Sequence, residues 1–107
     1  MKIDGDFSVS VESAKGADTV RLVVKGRVTS ANADILEYHL DEVFGLGRGR
    51  IVVNMSQVRF LASGGIRALL VGYKRALEAG SGFFVERPSE NVVNVLGMAA
   101  LDAMILK

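Results

Sequence analysis

Ser63 is the residue through which this chain has the clearest route to chemistry. It stands in Phe60-Leu61-Ala62-Ser63-Gly64-Gly65-Ile66, between a short apolar stretch that starts at Val58 and an amphipathic run. Apolar side chains fall at Ile66, Leu69, Leu70, Tyr73 and Leu77, the one-face spacing of a helix. The pattern predicts a helix from about Gly64 to Ala79 and puts Ser63 at or just before its N-terminus. Unpaired backbone N–H groups and the positive dipole end favour a hydroxyl cap there, or an anion such as phosphate. Gly64 and Gly65 carry no Cβ, so another molecule can approach this turn closely.

Nucleophilic catalysis at Ser63 lacks its supporting parts. Leu61-Ala62-Ser63-Gly64-Gly65 misses the first glycine of a nucleophile elbow. The one histidine, His39, falls in a different helix, on the boundary of its buried stripe, and nothing in the sequence brings it to Ser63. Gly45-Leu46-Gly47-Arg48-Gly49 has no Gly-Lys-Ser/Thr ending and follows a helix instead of opening one, so it reads as a helix stop and a turn. Glu37, Asp41 and Glu42 read as solvated helix residues; with no cysteine and no ligand cluster, no metal and no cofactor are expected. A binding role fits better. Arg67, Val71, Lys74, Arg75 and Glu78 share the outward face of the helix that Ser63 opens, and an apolar residue among basic ones beside a Ser-Gly-Gly turn marks a docking surface.

The elements that must hold this turn follow from periodicity. Phe7, Val9 and Val11 alternate with polar residues, as do Val20, Leu22 and Val24, which predicts an antiparallel hairpin joined by a polar loop around Gly16. Thr29 or Ser30 then caps a first helix whose buried stripe is Leu36, Leu40, Val43 and Phe44, with Asp34 in its first turns. Ile51-Val52-Val53 is a strand covered on both faces, and Asn54-Met55-Ser56-Gln57 begins the connection to Ser63. Phe83-Phe84-Val85 is a further buried strand. Pro88-Ser89 opens a third helix with Val92, Val93 and Leu96 inward, interrupted at Gly97; a short helical turn and Met104-Ile105-Leu106 close the chain. The fold class is α/β: one domain over residues 1–107, with a mostly parallel central sheet of four to five strands, an N-terminal antiparallel hairpin and helices packed on the sheet. A net charge of +1 gives no pull toward nucleic acid or an anionic membrane surface. Met1-Lys2-Ile3-Asp4-Gly5-Asp6 lacks the apolar core of a signal peptide, and no apolar run approaches the roughly 20 residues of a membrane span, so a cytoplasmic location is expected.

Three stretches carry a resemblance. Val24-Lys25-Gly26-Arg27-Val28, the run from Ile51 through Ser63 to Ile66, and Pro88-Ser89-Glu90-Asn91-Val92 with Leu96-Gly97-Met98 resemble the STAS domain family, and within it the stand-alone anti-sigma factor antagonists. The central stretch is the most specific. The resemblance implies a non-enzymatic switch. The serine matching Ser63 is phosphorylated by an anti-sigma factor serine kinase, the unmodified form binds that kinase, and a metal-dependent serine phosphatase removes the mark. Carried onto this chain, the kinase contacts are Ser63, Gly64, Arg67 and Val71, with Thr29 and Ser30 lining the same edge. The chain departs from the family pattern at three positions. Ala62 replaces the acidic residue before the serine, Gly64 the hydroxyl residue after it, and Arg27 the acidic residue after Gly26. A STAS module serving as a permanent protein scaffold, or one binding a small molecule beside Gly64 and Gly65, is the alternative.

Overall fold

Strict alternation in one strand sets the frame. In β2 (Thr19–Val28), Val20, Leu22 and Val24 are wholly buried while Arg21, Val23 and Lys25 turn the other way. β1 (Ser8–Ser13) pairs with it antiparallel, Val9 opposite Val24, which is the expected hairpin. β3 (Arg50–Leu61) and β4 (Gly82–Glu86) join in parallel, giving a four-stranded sheet of order β1-β2-β3-β4. α1 (Ala33–Phe44) connects β2 to β3, α2 (Ser63–Ala79) connects β3 to β4, and α3 (Glu90–Met98) follows β4. Their inward side chains, including Leu36, Leu40, Leu69, Val92 and Leu96, complete one apolar core with the sheet. The computed structural model describes residues 6–13, 18–47 and 49–106; the leader reading over residues 1–5, the loop around Gly16 and Arg48 of the glycine-rich turn lie outside them. The terminal apolar run makes a 3-10 turn (Asp102–Met104) and a single parallel bridge, Ile105 to Val85, with the Leu106 N–H donating to the Val85 carbonyl at 2.8 Å.

Several local expectations are corrected. β3 is one strand of 12 residues, with no connection at Asn54–Gln57. Its register against β2 slips twice: Val23 faces Asn54 but Lys25 faces Gln57, and Gly26 faces Val58 but Arg27 faces Phe60. Each slip admits one extra residue into β3, so its polar positions fall out of the two-residue phase that identifies a strand. α1 starts at Ala33 behind Asn32, with neither Thr29 nor Ser30 as its cap. The Thr29 carbonyl already accepts from the N–H groups of Asn32 and Ala33, which winds a turn ahead of the helix. Asn32 is fully buried and ties that turn together. Its Oδ1 accepts from the Thr29 N–H at 2.8 Å, and its Nδ2 donates to the Arg27 carbonyl at 3.0 Å.

The buried row of α2 consists of Gly65, Ala68, Leu69, Gly72 and Ala76, while Leu77 is 62% exposed. At Gly72 the helix lies too close to the sheet for a side chain, since a Cβ there would stand 2.9 Å from Cε2 of Phe83. Ile66, Leu70 and Tyr73 flank the row, half-buried. In α3, Val92 and Leu96 point inward as expected, but Val93 is exposed and the helix runs through Gly97 to Met98.

On the sheet face turned away from the core, Arg21 donates Nε to Glu86 Oε2 at 2.6 Å and Nη2 to Oε1 at 3.2 Å, and Asn54 Nδ2 donates to the same Oε2 at 3.0 Å. This fork ties β2 to β4 across β3. The Arg21 hydrogen bonds hold the Glu86 carboxyl below its ordinary value of 4.5, with Asn54 adding to the effect against the opposing cost of burial. A lowered folded-state value means stability that is present above the unfolded pKa and is lost as pH falls through the folded one. Glu86→Gln should therefore cost up to about 1 kcal/mol at neutral pH, limited by water at the half-exposed guanidinium. The gap between variant and parent in urea unfolding should close as pH drops below about 4; a gap that does not depend on pH would rule out the ionic fork. Two glycines should respond oppositely to alanine. Gly65→Ala, whose Cβ would meet Leu61 Cδ1 at 2.5 Å and Val28 Cγ1 at 2.7 Å, should lose about 1–3 kcal/mol. Gly97→Ala, with nothing within 4 Å, should gain about 0.5 kcal/mol by the same measurement.

Candidate functional site

The corner between β3 and α2 is fixed by its backbone. The Ala62 N–H donates to the Val28 carbonyl at 2.8 Å, pinning the end of β3 to the end of β2. Ala62 is the extended N-cap residue of α2 (φ −78°, ψ 167°) and supplies no side-chain cap. Ser63 is thus the first residue of the helix, one position past the cap, and it is exposed. Its hydroxyl is not consumed in capping the helix. The glycines that follow act inside the chain. Gly65 is buried against Leu61 and Val28, and a Cβ on Gly64 would stand 3.1 Å from that of Ala33 and 3.9 Å from the Ser30 Cα. A Cβ at Gly64 would thus meet α1 and one at Gly65 the strand ends, so the absence of a side chain at both serves the chain's own packing. The same contact brings exposed Ser30 to the edge that Ser63 stands on. Thr29 is half-buried, and its hydroxyl accepts from the Ala31 N–H at 3.2 Å.

From Ser63 the outward face of α2 continues through Arg67, Val71, Lys74, Arg75 and Glu78, all exposed as the periodicity requires. Arg67, Val71 and Arg75 form one wall of a groove of about 270 Å³ between α2 and α1. Glu37, Leu40, Asp41 and Phe44 form the other wall, and Ala68 and Gly72 the floor. Val71 is 51% exposed along its rim. Arg75 is occupied within the chain: it pairs with Asp41, and its guanidinium lies 4.5 Å over the Phe44 ring. Glu37 and Asp41 are exposed, as expected of solvated helix residues; what sequence reasoning missed is that they stand opposite Arg67 and Arg75 as the second wall of the groove. The available signal was acidic residues on one crossover helix and basic ones on the next, given that consecutive crossovers in a parallel sheet lie side by side.

The remaining candidates have structural roles. His39 Nδ1 lies 3.7 Å from the Glu42 carboxylate of its own helix. Gly47 takes a left-handed φ of 66°, and the Gly49 N–H donates to Asp18 Oδ1 at 2.9 Å, so the glycine-rich segment is a turn. Among the described residues, no three His, Asp or Glu side chains gather as a metal site, and no helix is long and apolar enough to cross a membrane.

A family model described as Mlab, STAS domain matches residues 11–107. The chain belongs to the STAS family. Solved structures share this STAS fold. The anti-sigma factor antagonist from Mycobacterium paratuberculosis superposes with a TM-score of 0.83 at 23% identity, over 98% of this chain and 87% of that one. The unphosphorylated form of the anti-sigma factor antagonist SpoIIAA gives 0.77 at 21% identity, over 92% and 86%. The phosphorylated form of SpoIIAA, described as a Bacillus cell fate determinant, gives 0.74 at 15% identity, over 92% and 89%. No curated protein matches the chain.

In this STAS domain two serines stand at helix starts, but only one caps its helix, a difference that mutation can test. Ser89 caps α3: its Oγ accepts from the Val92 N–H at 3.3 Å and donates to the Val58 carbonyl at 2.6 Å. Ser89→Ala should cost about 1–2 kcal/mol, whereas Ser63→Ala should stay within about 0.5 kcal/mol of the parent in denaturant unfolding. A loss at Ser63 equal to that at Ser89 would make Ser63 a structural residue.

Proposed function

We propose that this STAS domain is an anti-sigma factor antagonist, a regulatory binding module with no chemistry of its own. It binds an anti-sigma factor serine kinase through Ser63, Arg67, Val71 and the Ser30 edge. The observation that carries the reading is an exposed hydroxyl at the first position of α2 that the helix does not use as a cap, at the head of a face leading into the α1–α2 groove. In the proposed switch the kinase moves the γ-phosphoryl group of ATP onto Ser63 Oγ, with loss of the hydroxyl proton and release of ADP. A metal-dependent serine phosphatase returns the serine by hydrolysis. The added charge, about −1.5 to −2, sits at a helix start where free N–H groups tolerate it. A partner surface packed closely over a neutral hydroxyl does not tolerate it. Binding is therefore lost without unfolding of the core. The folds shared with anti-sigma factor antagonists, among them one solved both with and without phosphate, support this reading. The cytoplasm, where ATP is available, is the compartment it requires.

A permanent scaffold is the second reading, favoured by Ala62 and Gly64. No acidic or hydroxyl side chain flanks Ser63 to orient it or to help recruit a kinase.

Incubation with the candidate kinase and ATP, followed by intact-mass measurement, decides between them. A single phosphoryl adduct should form and be absent in Ser63→Ala. Ser63→Asp should weaken kinase binding about tenfold or more. Tight binding without any adduct would leave only the scaffold.

A further inference from the structure

Arg67 occupies a position that links Ser63 to the groove. It lies four residues after Ser63 on α2, so the two share one face a single helical turn apart. A helical side chain leans toward the N-terminus, and an arginine at this position covers the turn that precedes its own Cα. Here that turn begins with Ser63. Arg67 also lines the α1–α2 groove. Among the described residues it has no ion pair or hydrogen bond, whereas Arg75, two turns further on, is committed to Asp41 and Phe44. Charged groups from both helices face the groove: Glu37 and Asp41 from α1, Arg75 from α2. Asp41 is already paired with Arg75, so Glu37 is the carboxylate left to compete for Arg67.

We propose that Arg67 is the intramolecular receiver of a phosphoryl group on Ser63, folding back over the first turn of α2 to take it and leaving the wall of the α1–α2 groove as it does so. A phosphoryl group is doubly charged with three acceptor oxygens. It outcompetes the single carboxylate of Glu37, and the planar guanidinium can meet it with two parallel hydrogen bonds. The mark then acts twice. It places charge at the docking corner, and it removes from the groove wall the cation that an acidic group on a partner would seek. The proposal rests on the reading of Ser63 as a phosphorylation site and adds the residue that couples the mark to the rest of the surface.

The test installs phosphoserine at position 63 during synthesis of the full chain, so that no kinase is needed, and follows the second ionisation of the phosphate by phosphorus NMR against pH. The midpoint should lie lower in the parent than in Arg67→Gln by about half a pH unit, roughly a threefold change in proton affinity. Arg67→Lys should fall between the two, keeping the charge without the fork, and Arg75→Gln should match the parent. Equal midpoints in the parent and Arg67→Gln overturn the proposal, as does an equal rise in Arg75→Gln, which would reveal only a diffuse field. Because the phosphate is built in, such a result stands whatever the kinase does. A kinase that ignores Ser63 overturns the preceding reading whatever the titration shows.

Discussion

Everything at the candidate site depends on how closely α2 approaches the ends of β2 and β3. The Ala62 N–H to Val28 carbonyl bond fixes where β3 stops, and Gly65 lets the first turn of the helix press onto Leu61 and Val28 with no room for a Cβ. Gly72 extends the same closeness to Phe83. With the start of the helix fixed in this way, Ser63 has to be its first residue and has to face outward. A helix held one residue later would make Ser63 the cap and consume its hydroxyl. The same approach brings Ala33 and Ser30 beside Gly64 and leaves the groove running along α1.

Two polar systems divide the remaining work. On the sheet face away from the core, Arg21, Glu86 and Asn54 cross three strands and stiffen the frame. In the helix layer, Arg75, Asp41 and Phe44 close one end of the α1–α2 groove, while Arg67 and Val71 stay open at the other. A rigid frame with an open polar rim suits regulation by charge. The interior around Leu22, Val53 and Leu69 is fully buried, so a change at Ser63 alters what the surface offers without reaching the packing beneath.

Much of this was legible in the residues. Alternation in β2 gave its buried and outward faces, and Pro88-Ser89 gave the start of α3. The outward face of α2 from Arg67 to Glu78 was read correctly because the period of a helix is fixed by its backbone hydrogen bonds. What escaped was whatever depended on neighbours distant in sequence. The bulges that carry β3 through Asn54 and Gln57 exist only in register with β2, and α1 begins behind Asn32 because the chain first winds a turn at Thr29, whose hydroxyl accepts from the Ala31 N–H within that turn. Leu77 and Val93 matched the apolar stripes of their helices but lie outside the contact, since amphipathic spacing marks a face to within a residue or so and packing decides which side of it is buried.

The sequence by itself determined the element order, the parallel sheet with its leading hairpin, and a serine at a helix start beside basic and apolar residues, because each follows from local periodicity and turn chemistry. Only the tertiary structure decided that the glycines after Ser63 serve the chain's own packing, that Arg75 is taken while Arg67 is open, and that α1 supplies the second wall of the groove. Those outcomes turn on ångström-scale distances between segments far apart in the chain, which no pattern along the chain encodes.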